Sequence, residues 1–324
     1  MKFKLFMISI VLILVLTIVS GCSNSNGTVD NFPNKPIQLI VSFTPGAATD
    51  TQARIISKYA SKYLGQELVI VNKPGGGGSV GWNSFSTVSP DGYTLTAYNL
   101  PHIITQPLVG QTAFSVDDFE PIINWGQDPT VFVVTPDSPI KDLKDLIEKA
   151  QKSPGVLTVG TAGKFVGQHM GMLLLEKSAS IDLKDIPYKG ASESIAALLG
   201  KQTDLVSGNL SDMYRLGDQV RILAIATKER HPLVSNVPTF TELGYPEVII
   251  STDRGIAARK GTPEEIIKKL EEGFLQIMKD PNFLEDMKKA GADLLILNHE
   301  EVKKEFEMRK GLYEKLIKSV NINE

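Results

Sequence analysis

The sequence predicts a two-lobed α/β protein whose lobes are joined by two crossings of the chain. Three observations carry this. Short β-rich runs alternate with amphipathic helical patterns, the order that builds parallel sheets covered by helices. That alternation begins near residue 37 and restarts near residue 131, giving two units of similar size. A strand-like stretch near residue 250 then leads into two long helices that have room to pack back on the first unit.

In the first unit, Ile37–Phe43 reads as a strand and Thr49–Leu64 as a helix, with Ala53, Ile55, Ile56, Tyr59, Ala60 and Tyr63 at helical spacing and Gly65 as its C-terminal stop. Leu68–Val71 is the next strand. A glycine cluster, a helix over Gly81–Val88, a turn at Asp91-Gly92 and a strand over Tyr93–Tyr98 follow. In the second unit the expected strands are Val131–Thr135, Thr158–Thr161, Asp185–Tyr188, Leu205–Ser207 and Ile222–Ala226, and the expected helices Ile140–Ser153, Gln168–Ser178 and Glu193–Leu199. Val248–Ala257 reads as strand, and helices over Pro263–Met278 and Glu300–Ile317 close the chain. The expected division is 34–128 plus 249–324 for the first lobe and 129–248 for the second. A hinge of two crossings suits closure over a ligand.

The front of the chain is a leader rather than a fold element. Lys2 and Lys4 precede an apolar run from Leu5 to Val19, then Ser20-Gly21-Cys22. The run is shorter than the ~20 apolar residues of a spanning helix, and small residues precede the cut, as in a secretory signal peptide. Val19-Ser20-Gly21-Cys22 resembles the bacterial lipobox, which implies cleavage after residue 21, lipidation of Cys22, a polar tether over 22–33 and anchoring to the outer face of the cytoplasmic membrane. Cys22 is the only cysteine, so disulfides, thiolate metal clusters and a cysteine nucleophile in the folded body are excluded. Loss of Lys2 and Lys4 with the leader takes the formal charge from −3 to −5. That balance argues against a nucleic-acid partner, which needs a basic face.

Three segments carry candidate chemistry. Phe43-Thr44-Pro45-Gly46-Ala47-Ala48-Thr49-Asp50 links a strand to a helix; small residues let backbone N–H groups approach a ligand, and a helix start favours an anion. Thr161-Ala162-Gly163-Lys164-Phe165-Val166-Gly167-Gln168-His169 occupies the same kind of place in the second unit. Pro187-Tyr188-Lys189-Gly190 ends a strand and offers a cation. Each segment also reads as ordinary structure: a β-to-α turn capped by Asp50, a helix-start histidine, a solvated lysine.

These segments, with Lys73-Pro74-Gly75-Gly76-Gly77-Gly78, Ser89-Pro90-Asp91-Gly92-Tyr93, Val237-Pro238-Thr239 and Gly261-Thr262-Pro263, resemble in order and spacing the substrate-binding proteins of tripartite tricarboxylate transporters, the Bug family. The resemblance runs from about Pro36 to the end. It implies a periplasmic-binding-protein fold of type II, a small carboxylate as ligand, no cofactor or catalysis, a monomer, and a permease with a large and a small membrane subunit as partner. The family's first loop, Pro-Gly-Gly-x-x-Asp, maps to Pro45 through Asp50, with Ala47 in place of a glycine. Its second loop maps to Thr161 through His169, with Phe165 where glycine is usual and Val166 where a hydroxyl is usual. The resemblance therefore implies a ligand site built from Phe43, Pro45, Gly46, Ala47, Ala48, Asp50, Thr161, Gly163, Lys164, Phe165, Val166 and His169. Fewer donors and more apolar bulk favour a smaller or partly apolar acid over citrate. Lys189 and Arg254, the latter able to grip a carboxylate in bidentate fashion, complete the expected set.

Other patterns lead elsewhere. Gly76 to Gly81 matches G-x-G-x-x-G, but Asp91 comes only ten residues later, in a turn, where a dinucleotide site wants an acid about 20 on. Gly77-Gly78-Ser79-Val80-Gly81 matches G-x-S-x-G, which makes an exported serine hydrolase with Ser79 as nucleophile and His169, His231 or His299 as base the main enzyme alternative. A lipoprotein that senses its ligand without transport is the other. His102, His169, His231 and His299 are too scattered to predict a metal site. The charged runs at Lys268–Glu272 and Lys303–Glu307 read as solvated helix faces.

Overall fold

The computed structural model describes residues 31–110 and 112–319. The expected leader, Cys22 and most of the tether lie outside the described residues. Met1–Asn34 and Lys35–Glu324 are separate compact units; residues 31–34 of the first hold no helix or strand.

In the second unit the elements run β1 (Ile37–Val41), α1 (Ala48–Leu64), β2 (Leu68–Asn72), α2 (Ser79–Phe85), β3 (Thr94–Leu100), α3 (His102–Val109), β4 (Phe119–Gly126) and β5 (Thr130–Val134). They continue α4 (Leu143–Lys152), β6 (Thr158–Thr161), α5 (Gly167–Ala179), β7 (Lys184–Pro187), α6 (Ala191–Leu199), β8 (Leu205–Asn209), α7 (Leu210–Tyr214) and β9 (Arg221–Ile225). The chain closes with β10 (Asp253–Arg259), α8 (Glu264–Lys279), α9 (Pro281–Lys289) and α10 (His299–Ser319).

Two five-stranded sheets result, ordered β2-β1-β3-β10-β4 and β7-β6-β8-β5-β9. In each, three strands are parallel and the last two join antiparallel. Burial on both faces explains the continuous apolar runs: every residue of β5 is out of water. Helix α1 turns Ala53, Ile56, Ala60 and Leu64 inward at helical spacing, and Gly65 ends it at φ 74°, a conformation that glycine adopts without strain. Asp142 caps α4 by accepting the Asp145 N–H.

The chain passes from the first sheet to the second through Gln127–Pro129, between β4 and β5, and returns through 250–252. The two passages pair with each other: Thr130 N–H donates to Ile250 O at 3.1 Å and Thr252 N–H to Asp128 O at 2.8 Å. This overturns part of the strand expected over Val248–Ala257. Its first residues bond elsewhere, Val248 N–H to Tyr245 O, Ile250 N–H to Ala226 O and Thr252 N–H to the other passage, and β10 begins only at Asp253. Several elements were not foreseen. Pro121 and Asn124 weakened the strand signal of β4, and Pro107 the helix signal of α3; α7 and α9 were also missed. Helix α10 lies on β4 and α3, yet Leu316 near its end packs against buried clusters of both sheets.

Candidate functional site

The first loop joins β1 to α1. Gly46 takes φ 83°, which opens the turn. Asp50 is buried, and its carboxylate accepts Gly46 N–H at 2.9 Å, the Asn72 amide at 2.8 Å and Arg54 Nε at 3.0 Å. Burial pushes its pKa up, but Arg54, the Gly46 N–H and Asn72 outweigh that and hold it below the usual value. Asp50 therefore fixes the loop from inside. Ala47 at the N-cap supplies no side-chain acceptor, so no protein acceptor meets the N–H groups of Ala48, Thr49 and Asp50.

The second loop joins β6 to α5 and repeats this device. Val166 caps α5 without a side-chain acceptor, leaving the N–H groups of Gly167, Gln168 and His169 without a protein partner. Gly163 (φ 134°) and Phe165 (φ 56°) both lie in left-handed territory. His169 Nδ1 accepts the Phe165 N–H at 3.0 Å, and its Nε2 lies 3.6 Å from Asp185 Oδ2, beyond hydrogen-bond length. Burial, helped by the Lys164 charge, lowers the histidine pKa to about 4. Burial raises that of Asp185 to about 6, against a 2.7 Å hydrogen bond from Thr161 Oγ1. The two are thus a neutral imidazole beside a carboxyl group rather than an ion pair.

Both loops border one buried apolar cluster, which includes Phe43 and Ala47 of the first and Ala162 and Val166 of the second. From the second lobe, Ser192 Oγ reaches Pro45 O at 3.5 Å, and Arg215 reaches Gly46 O at 3.2 Å and Thr51 Oγ1 at 2.8 Å. Beside the cluster lies a cavity of about 450 Å³ between the sheets. Gly76, Gly77, Ser79 and Gln106 form one wall; Lys164, Phe165, Tyr188 and Lys189 form the other, and no acidic side chain lines it.

Of the expected residues, Gly163, Lys164, Phe165 and Lys189 line this cavity. Phe43, Ala47 and Val166 are packed beside it, and Pro45, Gly46 and Ala48 form the first turn. Asp50, Thr161 and His169 support the loops from behind. Arg254 does not line the cavity. It lies at the return passage, fully buried, with Nη1 2.6 Å from Asp128 Oδ2 and Nε 3.0 Å from Thr49 Oγ1. Sequence reasoning missed Arg215, Thr105 and Gln106, whose partners are remote in the chain. Ser79 lines the cavity, while the ring of His169 faces Phe165 N–H and Asp185, not the serine.

Two mixed sheets, paired crossings and a cleft between helix starts define a two-lobed solute-binding protein of the periplasmic type. Residues 52–322 match the tripartite tricarboxylate transporter family receptor, TctC, and the chain belongs to that family. The periplasmic binding protein BugD is similar in fold (TM-score 0.83, 28% identity, 89% of this chain and 98% of that one). So are MatC of Rhodopseudomonas palustris with bound malate (0.83, 25%, 88% and 100%) and Rpa4515 of R. palustris with adipate (0.84, 26%, 89% and 98%). Among the described residues no helix is long and apolar enough to cross a membrane, and no cluster of ligating side chains suits a metal.

Proposed function

We propose that this chain is an exported receptor, tethered by a lipid on Cys22, that captures a small organic acid between its lobes and delivers it to the membrane subunits of a tripartite permease. In this reading the lobes divide at 128/129 and 248/249. A ligand carboxylate is held where the turn at Pro45–Asp50 meets the turn at Gly163–His169, and the ligand body extends into the cavity toward Lys164 and Lys189. One observation carries the reading: two helix starts, each with three N–H groups that no described residue accepts, border one buried apolar cluster, next to a cavity that has two lysines and no acid on its walls.

The magnitudes set what else is needed. A helix terminus contributes about 0.3–1 kcal/mol, or ~2 when partly buried, whereas micromolar affinity takes about 8 kcal/mol. Direct hydrogen bonds and apolar contact with Phe165, Tyr188 and Pro187 must supply the rest, which favours an acid with an apolar body. Malate and adipate in the related structures support a dicarboxylate of that size.

The test is a thermal-shift panel of mono-, di- and tricarboxylates, acidic amino acids, sugars and cations on residues 23–324. An acid at about 100 times its Kd adds roughly 2.7 kcal/mol of stability. A selective shift with one class of carboxylate is expected. No shift with any acid, in protein shown by denaturing mass spectrometry to carry no bound acid, overturns the reading.

A further inference from the structure

The turn Gly75–Gly78, which overlaps the dinucleotide and hydrolase patterns, makes a contact that neither pattern explains. A Cβ on Gly163 would lie 2.6 Å from Gly77 Cα and 2.9 Å from Gly77 N. A Cβ on Gly77, itself at φ 63°, would lie 2.7 Å from Val166 Cγ1 and 2.8 Å from Gln106 Nε2. Backbone thus meets backbone between the lobes, at a distance only glycine on both sides allows.

Two neighbouring side chains of α3 secure that contact. Gln106 Nε2 donates to Gly76 O at 3.1 Å and Gly77 O at 3.0 Å, and reaches Lys164 O at 3.4 Å. Three carbonyl oxygens around one nitrogen fix the amide orientation, because only the NH₂ group can donate. Gln106 Oε1 is correspondingly left buried without a partner. Thr105 Oγ1 lies 2.6 Å from Phe165 O, closer than its other carbonyl contacts at 3.1 Å (Pro101) and 3.5 Å (His102). A hydroxyl has one proton, and the shortest contact takes it.

Phe165 is the residue this arrangement acts on. A bulky side chain at φ 56° is strained. Here the conformation is held from both sides: its N–H by His169 Nδ1 within the same lobe, and its C=O by Thr105 from the other. Parting the lobes removes the second hold.

We propose that Thr105 and Gln106, with the glycine contact Gly77–Gly163, form a latch that couples lobe closure to the geometry of the second ligand loop. They are positioning residues: they set affinity through Lys164 and Phe165. The proposal rests on reading the cleft as the ligand site, and it deepens that reading.

The test uses residues 23–324 carrying Ser61→Cys and Val156→Cys, both at exposed positions, labelled with a donor–acceptor dye pair. Interlobe distance is measured with and without the acid identified by the panel, together with Kd and koff. Thr105→Val is expected to raise Kd about 3- to 10-fold and Gln106→Met about tenfold or more, mainly through koff, with the distance distribution moved toward open. Thr105→Ser keeps the hydroxyl and is expected within about twofold of wild type. Phe165→Gly removes the strain, so adding Thr105→Val to it is expected to cost much less than in wild type. Unchanged Kd and koff in both Thr105→Val and Gln106→Met overturn the latch. A raised Kd with an unchanged distance distribution also overturns it, in favour of direct ligand contact. If wild type binds no acid, the proposed function fails, and the latch is judged on the free protein: a shift toward open in the variants supports it and no shift overturns it.

Discussion

Arg254, at the start of β10, forms an ion pair with Asp128 in the outgoing crossing of the chain. Nη1 lies 2.6 Å from Oδ2, with the two side chains 1% and 2% exposed. Asp128 also accepts the Ser211 N–H at 3.0 Å from the second lobe, and Arg254 reaches Thr49 Oγ1 at the start of α1. Removing one partner leaves a buried charge uncompensated, a loss of about 3–5 kcal/mol. Arg254→Met is therefore expected to lower the urea midpoint strongly. A variant as stable as wild type would show that water relieves Asp128.

Asp50 sets the shape of the first loop by accepting Gly46 N–H and the Asn72 amide. Asp50→Ala removes the acceptor for Gly46 N–H and Asn72, with an expected loss of about 1–3 kcal/mol of stability and weakened acid binding. Ala47→Asp puts a carboxylate where a carboxylate is proposed to bind and should abolish affinity, at a cost in stability because Ala47 is buried in an apolar cluster. Calorimetry with the acid from the panel reads both. Wild-type Kd in both variants would remove the first loop from the site.

Asp185 gives the stability profile a defined slope. Its folded pKa, about 6, is raised above the unfolded value. The stability it contributes is therefore full below about pH 4 and is lost as pH rises through 6. His169 works in the opposite direction. Its folded pKa of about 4 is depressed, so its contribution is present above about pH 6.5 and lost as pH falls toward 4. Asp185→Asn is expected to gain on wild type by about 1–3 kcal/mol between pH 4 and 6, and to hold that gain at higher pH. Denaturation at five pH values checks this; a constant difference would contradict it.

Lys164 and Lys189 are exposed, so each is worth little alone. Lys164→Gln and Lys189→Gln should each weaken acid binding about 2- to 5-fold at low salt, and less at 0.5 M salt, where charges are screened beyond a few Å. Titrations at two ionic strengths decide the matter. Salt-independent losses would mean the lysines shape the wall without acting as charges.

The parts of this fold that sequence reading recovered are those written within one element. The strand Thr158–Thr161 is an example, as is the helix stop at Gly65. Both small-residue turns were legible because such a turn before a helix start is a local pattern. Strand β4 was not, because Pro121 and Asn124 disguise a segment whose partners, β10 and Leu297, both lie more than a hundred residues later. Thr105, Gln106 and Arg215 gave no signal for the same reason, since each meets an acceptor that the fold alone brings near. Arg254 is expected to grip ligand, but it lies in β10, just past the return passage, and is spent on Asp128. Its partner Asp128 lies in the other passage, and no spacing rule connects them.

Helix α10 starts on the core of the first sheet, is pinned beside β10 by Arg309 to Asp253 at 2.6 Å, and ends with Leu316 and Ile317 against the core of the second. An environment-sensitive dye on that last turn would sit on a part that senses both cores. Attached through Ser319→Cys, it would turn the protein into a reagentless optical sensor for the acid it is proposed to bind, read without any partner or second label.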